Sequence, residues 1–325
     1  MSDKYHGDGA VAGNSGDNIP HQPVLYHEVL EALAPKSGRN YLDGTLGAAG
    51  HALGILESSA PDGRLLGLDL DPEALAIASR RLIHYDHRTV IHQSSYKNAP
   101  EILNEIGWGT VHGILLDLGV SSMQIDRPSR GFSFMEKGPL DMRFDQTSGQ
   151  TAAELVNNLS EEQLADVLWQ YGDERYSRRI ARAIVKARPI KTTQALAAVI
   201  EESVPGYSSQ IHPATRTFQA IRIATNKELE TLSTSLPELT KCLEVGGKIA
   251  IISFHSLEDR IVKQYFKKES KDCICPPEQP VCTCGHKASL KIITKKPIRA
   301  SEHEVQNNPR SRSARLRVAE KISKA

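Results

Sequence analysis

The sequence predicts an α/β fold, a Rossmann-like sheet interrupted by a helical insertion. Two observations lead there. Short apolar strands alternate with helices as far as Asp117, and the alternation then lapses from about Ile125 until Lys248. Apolar strands separated by helices favour a parallel sheet covered on both faces. The first strand, around Tyr41-Leu42-Asp43, enters the turn Gly44-x-x-Gly47-x-x-Gly50, and a helix follows. The second, Leu65–Asp69, stops on a carboxylate, after which Asp71 caps a helix that opens on Pro72. Third and fourth strands fit Thr89–His92 and Val111–Asp117.

Helical signals fill the gap. Ser160-Glu-Glu-Gln163 is a capping box whose helix ends at Gly172. Further helices span Asp173–Arg188, stopped by Pro189, and Thr193–Ser203, stopped by Pro205; another starts near Pro213. Lys248-Ile-Ala-Ile-Ile-Ser-Phe254 restores the strand pattern. The expected division is a disordered tail over 1–20, a sheet domain over 21–124 and 214–325, and an inserted helical substrate-recognition domain over 125–213.

At 325 residues the chain can bury a substantial core, and its 39% hydrophobic and 24% charged residues are ordinary for a globular enzyme. No apolar run approaches membrane-spanning length, and the polar N-terminus does not read as a signal peptide, so a cytoplasmic protein is expected. The net charge of +1 hides two basic blocks. From Gly285 onward eleven Lys and Arg face three Glu, a local excess of eight, and Arg310 to Arg317 would form one charged edge if extended. On the helix beginning near Asp173, Arg175, Arg179, Arg182 and Lys186 fall on one face, with Ile180, Ile184 and Ala187 on another. These blocks, with Arg310 and Arg312, suit a polyanionic partner.

Glycines let backbone approach a ligand closely, and an acid at the tip of the second strand accepts hydrogen bonds from both ribose hydroxyls. The spacing is not G-x-G-x-x-G, so the pyrophosphate cradle of a dinucleotide site is missing and a nicotinamide oxidoreductase is disfavoured. A nucleoside without a diphosphate fits better, S-adenosyl-L-methionine being the obvious one. It should lie at the strand ends, beside Gly44, Asp69 and Asp117. A base amine is a poor nucleophile, because its lone pair is delocalised into the ring. An enzyme that methylates it needs an acceptor for the amine hydrogens. Asp117 is a candidate for that role or for a cofactor contact. Carbon methylation of cytosine normally needs a cysteine nucleophile, and all five cysteines lie at Cys242 or beyond. The loop from Arg130 to Phe144 interleaves Arg, Gly, Phe and Met, either to hold an extruded base or to pack the insert on the sheet. Cys273, Cys275, Cys282 and Cys284, with His286 nearby, offer a tetrahedral ligand set, although C-x-C is tight for zinc. Structural zinc, an iron–sulfur cluster and free thiols remain open there.

Taken together, these motifs resemble the ribosomal RNA small subunit methyltransferase H family. The likeness runs through His21–Glu28, Asp43–His51, Gly113–Ser122, Arg130–Met135, Gly138–Arg143, His212–Gln219 and Ile252–Arg260. It implies a class I methyltransferase sheet with a helical insert. It also implies methyl transfer from S-adenosyl-L-methionine to the N4 amine of a cytidine in the decoding centre of 16S rRNA, in the small ribosomal subunit. By the same resemblance the cofactor contacts fall on Ala49, Gly50, His51, Asp69, Tyr96, Asp117 and Gln124. Ala49 stands where the family commonly has a second glycine. A non-catalytic RNA-binding assembly protein is the alternative, and monomer and homodimer are both open.

Overall fold

The computed structural model describes residues 23–204, 212–279 and 281–323; the tail expected over 1–20 lies outside them. The sheet half opens with α1 (Tyr26–Leu33), β1 (Asn40–Asp43), α2 (Gly50–Ser58), β2 (Arg64–Asp69) and α3 (Pro72–Arg81). It continues through β3 (Thr89–Gln93), α4 (Ala99–Glu105), β4 (Val111–Asp117) and the short α5 (Ser122–Asp126). Five helices follow without a strand: α6 (Ala152–Asn158), α7 (Glu161–Gly172), α8 (Ser177–Ala187), α9 (Thr193–Ser203) and α10 (Ala214–Asn226). The chain returns through α11 (Glu228–Lys241) to β5 (Leu243–Ser253), then α12 (Ser256–Glu269), β6 (Leu290–Ile292), α13 (Glu302–Asn307) and β7 (Arg315–Lys321).

The sheet order is β3-β2-β1-β4-β5-β7-β6. The first five strands are parallel, and β7 lies antiparallel between β5 and β6. Alternate residues of each strand face opposite helical layers, as a doubly covered sheet requires. Ile114 and Leu116 join Leu236 and Phe266 on one side, while Leu115 and Ile252 join Val29, Ile55 and Leu75 on the other.

A third apolar cluster belongs to the helices alone. Leu164 and Leu168 of α7 meet Ile180 and Ile184 of α8, Ile200 of α9 and Ile221 of α10. Packing therefore carries the helical unit through α10, past the boundary expected at 213. Among the basic positions, α8 starts at Ser177 rather than Asp173, so Arg175 precedes it. Arg179, Arg182 and Lys186 are exposed while Ile180 and Ile184 are buried, as the periodicity predicts; Ala187 is exposed, not packed.

The charged edge expected from Arg310 to Arg317 does not form. Pro309–Ser313 is a 3-10 turn and only Arg315 onward is strand. Arg317 is buried and donates to Asp259 from Nε at 2.6 Å and from Nη2 at 3.2 Å, so its charge serves the α12–β7 contact.

Candidate active site

The carboxyl ends of β1, β2, β4 and β5 converge, and each delivers an acid or a tight turn. Asp43 closes β1 almost completely buried, with Oδ1 accepting from the Thr45 N–H at 3.1 Å. Thr45 in turn places its hydroxyl 2.6 Å from the Asp117 N–H, locking the first and fourth strand ends together. Asp69 takes backbone hydrogen bonds on both oxygens, from Gly47 at 2.7 Å and from Asp71 at 2.9 Å. An ionised carboxylate has about four acceptor positions, so roughly two stay open on Asp69.

His51, one residue into α2, is buried with Nε2 3.7 Å from Asp117. Burial pushes its imidazole down to about 4, against a smaller upward effect of the Val24 backbone, so it is neutral at pH 7. Asp117 is pushed up to about 8 by burial, then by the nearby Asp43 and Glu258. Its Oδ1 is sealed without a hydrogen-bond partner, while the side chain as a whole stays 27% exposed at the strand end. Asp43 is raised to about 7, chiefly by burial with Asp69 adding to it, and burial raises Asp69 as well. Among the described residues no Lys or Arg lies within 4 Å of these three carboxylates.

The glycines and Ala49 have more specific work than ligand approach in general. A Cβ on Gly44 would lie 2.8 Å from Tyr96 Cβ and 2.6 Å from Leu116, so Gly44 admits Tyr96 over the turn. A Cβ on Gly50 would strike Pro23 at 2.4 Å. Ala49 has no exposed surface, and it caps α2 in the left-handed region at φ 62°. That conformation favours glycine, which accounts for the glycine the family commonly has at this position. Gln124 is likewise turned inward. Its Oε1 accepts from the Ser121 N–H at 3.0 Å, and its Nε2 donates to Asp71 at 2.8 Å.

Sequence reasoning read Asp71 only as the N-cap of α3, a role the structure keeps, and gave it no part beyond that helix. It is buried and binds both Gln124 and the equally buried Arg130, whose Nη2 donates to the carbonyls of Arg143 and Phe144. This contact ties the 127–144 loop to the nucleotide half of the sheet. The loop aromatics pack as glue: Phe132 stacks on Phe144, and Phe134 on His212 at 4.4 Å, with Met135 left exposed.

A second missed constellation is the buried group of Arg222, Glu228, His255 and Glu258. Arg222 makes a bidentate pair with Glu228 at 2.9 and 3.0 Å. Glu258 accepts from the Phe254 N–H at 2.9 Å and lies 3.2 Å from His255 Nε2. Its carboxyl is held below the usual range although burial opposes this, because His255 and Arg222 stabilise the charge. The acids Glu258 and Glu228, after burial, also push the Tyr96 phenol up. His255-x-x-Glu258 is a capping signature, and that spacing was the available signal.

Cys242 sits at the far end of β4 from Asp117, its carbonyl accepting from the Val111 N–H, so no cysteine accompanies the acids. Residues 18–322 match the MraW methylase family. The chain belongs to that family. This methylase is 50% identical over 303 residues to the ribosomal RNA small subunit methyltransferase H of Dehalococcoides mccartyi, covering 93% of this chain and 87% of that one. It is 52% identical over 311 residues to the protein of the same name from a Geobacter species, with 94% and 100% covered. The one from Thermomicrobium roseum is 48% identical over 306 residues, with 93% and 94% covered. No helix among the described residues of this methylase is long and apolar enough to cross a membrane.

Proposed function

We propose that this methylase transfers a methyl group from S-adenosyl-L-methionine to the N4 amine of a cytidine in the decoding centre of 16S rRNA. The name shared by its relatives supports an rRNA substrate. The observation that carries the cofactor is electrostatic. Asp43, Asp69 and Asp117 crowd one cleft; burial raises the proton affinity of all three, Asp69 adds to that of Asp43 and Asp43 to that of Asp117, and none has a Lys or Arg partner among the described residues. A cationic ligand relieves that repulsion, and a neutral or anionic one does not. When bound, S-adenosyl-L-methionine supplies a methyl group on a positively charged sulfur, open to attack by a nucleophile.

Asp69 accepts the ribose hydroxyls on its two open positions, and Tyr96 covers the turn beside it. Asp117 accepts a hydrogen bond from the base amine and fixes the lone pair toward the methyl carbon. His51, neutral, packs against Asp117 and adds no competing positive charge. Arg179, Arg182, Lys186, Arg310 and Arg312 hold the rRNA backbone; Arg310 and Arg312 occupy the turn that enters β7 at the same end of the sheet as Asp117.

Incubating the protein with cofactor labelled in the methyl group and small ribosomal subunits, then digesting the RNA, tests this. Label on N4-methylcytidine is expected. Label on carbon 5 or on another base overturns the amine assignment, and RNA binding without label favours a non-catalytic assembly role. Asp69→Ala should weaken cofactor binding at least about tenfold by calorimetry, since each charge-assisted bond contributes roughly 1.5–3 kcal/mol.

A further inference from the structure

Far from the acids, the chain between α12 and β6 folds back on itself around four thiols. All four sulfurs, of Cys273, Cys275, Cys282 and Cys284, lie within 4.8 Å of one another. Cys282 Sγ is 3.6 Å from Cys284 Sγ, which is 3.9 Å from Cys273 Sγ. Zinc–thiolate bonds of about 2.3 Å arranged tetrahedrally place sulfurs about 3.8 Å apart. The observed separations bracket that edge. They are far beyond the roughly 2.05 Å of a disulfide, and too short to admit the body of an iron–sulfur cluster between the cysteines.

The surrounding residues supply little else to hold the segment. Ile274 and Val281, the apolar side chains of the segment, are 41% and 69% exposed, so no hydrophobic core holds it. Its base is tied by hydrogen bonds from Ser289 N–H to the Glu269 carbonyl at 2.9 Å and from Ala288 N–H to Asp272 at 3.3 Å. Toward the tip, the Ile274 N–H donates to Cys284 Sγ at 3.5 Å. His286 is engaged elsewhere, with Nε2 3.2 Å from the Lys268 carbonyl. β6 pairs with the end of β7 that lies opposite Asp117, so the cysteines sit away from the cleft.

We infer that Cys273, Cys275, Cys282 and Cys284 bind one zinc ion as a closed tetrathiolate knuckle between α12 and β6. Four protein ligands leave no open coordination position, so the ion is structural and takes no part in methyl transfer. The full chain, purified without chelator or polyhistidine tag, should carry one zinc per chain by elemental analysis. Titrating its thiols with an organomercurial should release that zinc in step with the modification of four cysteines. Cobalt(II) exchanged into the protein should show the visible absorption of tetrahedral thiolate coordination. Cys282→Ser with Cys284→Ser should abolish zinc content. Metal-free protein, zinc retained by the double variant, or iron with acid-labile sulfide would each overturn the inference. The mercurial release reads the wild-type chain, so the result stands even if the double variant misfolds.

Discussion

In the role proposed for Asp117, folding and catalysis make opposite demands on one carboxyl. Unfolded, it ionises near 4; folded and free of ligand, it does so at about 8. The folded state therefore holds the extra proton across that interval, and its stability falls as pH climbs from about 4 to about 8. Asp117→Asn cannot ionise, so its gain in Tm over the wild type should widen between about pH 5 and about pH 8. The same variant should lose methyl transfer by roughly 10²-fold or more. A pH-independent Tm difference would show that the burial of this carboxyl costs nothing. Asp43→Asn should make the stability loss smaller and end it at lower pH, because Asp43 is itself raised to about 7 and is the largest charged contributor to the elevated Asp117 value. Asp69 and Asp117 were legible in the sequence because each ends an apolar strand. Asp43 carries the same signature, but its part in the acid group depends on Thr45 and on burial, which spacing does not display. Arg222 and Glu228 are joined across the α10–α11 junction, a contact no local pattern announces.

At the scale of elements, β1 to β4 were readable almost to the residue and α7 and α9 from their caps and breakers, whereas β5 begins at Leu243, five residues before the expected Lys248. β7 was not readable. Its Arg317 and Lys321 are buried, one against Asp259 and the other donating to the Lys241 carbonyl at 3.0 Å, so buried charges disguised an interior strand as a basic tail. α8 keeps its cationic face in solvent. Arg182 lies 3.2 Å from Glu161, a surface pair 77% and 35% exposed and worth at most about 1 kcal/mol. Arg179 has no ion pair among the described residues. Replacing Arg179 and Arg182 by Ala should therefore leave Tm nearly unchanged while weakening rRNA binding and flattening its salt dependence, since fewer counterions are released. An unaltered slope of affinity against salt would remove α8 from the RNA interface.

Across the whole molecule, the buried acids and the four clustered cysteines are segregated to opposite ends of the sheet, and the helical unit is joined to the acid end by Arg130 and Asp71. The three acids at that end also bear on how a spent cofactor departs. Once the methyl group has left, the sulfur is an uncharged thioether, and the carboxylates lose the cation that offset their mutual repulsion. Repulsion between ionised acids then returns as proton uptake, or as a weaker hold on the demethylated form. Turnover should thus be accompanied by a change in the protonation of the cleft. Measured by calorimetry in buffers of different ionisation enthalpy, S-adenosylmethionine should bind with more proton release than S-adenosylhomocysteine. Its affinity relative to the demethylated compound should rise between about pH 6 and about pH 8.5, as the acids ionise. Equal proton release by the two would mean that shape alone, and not charge, distinguishes the fresh cofactor from the used one.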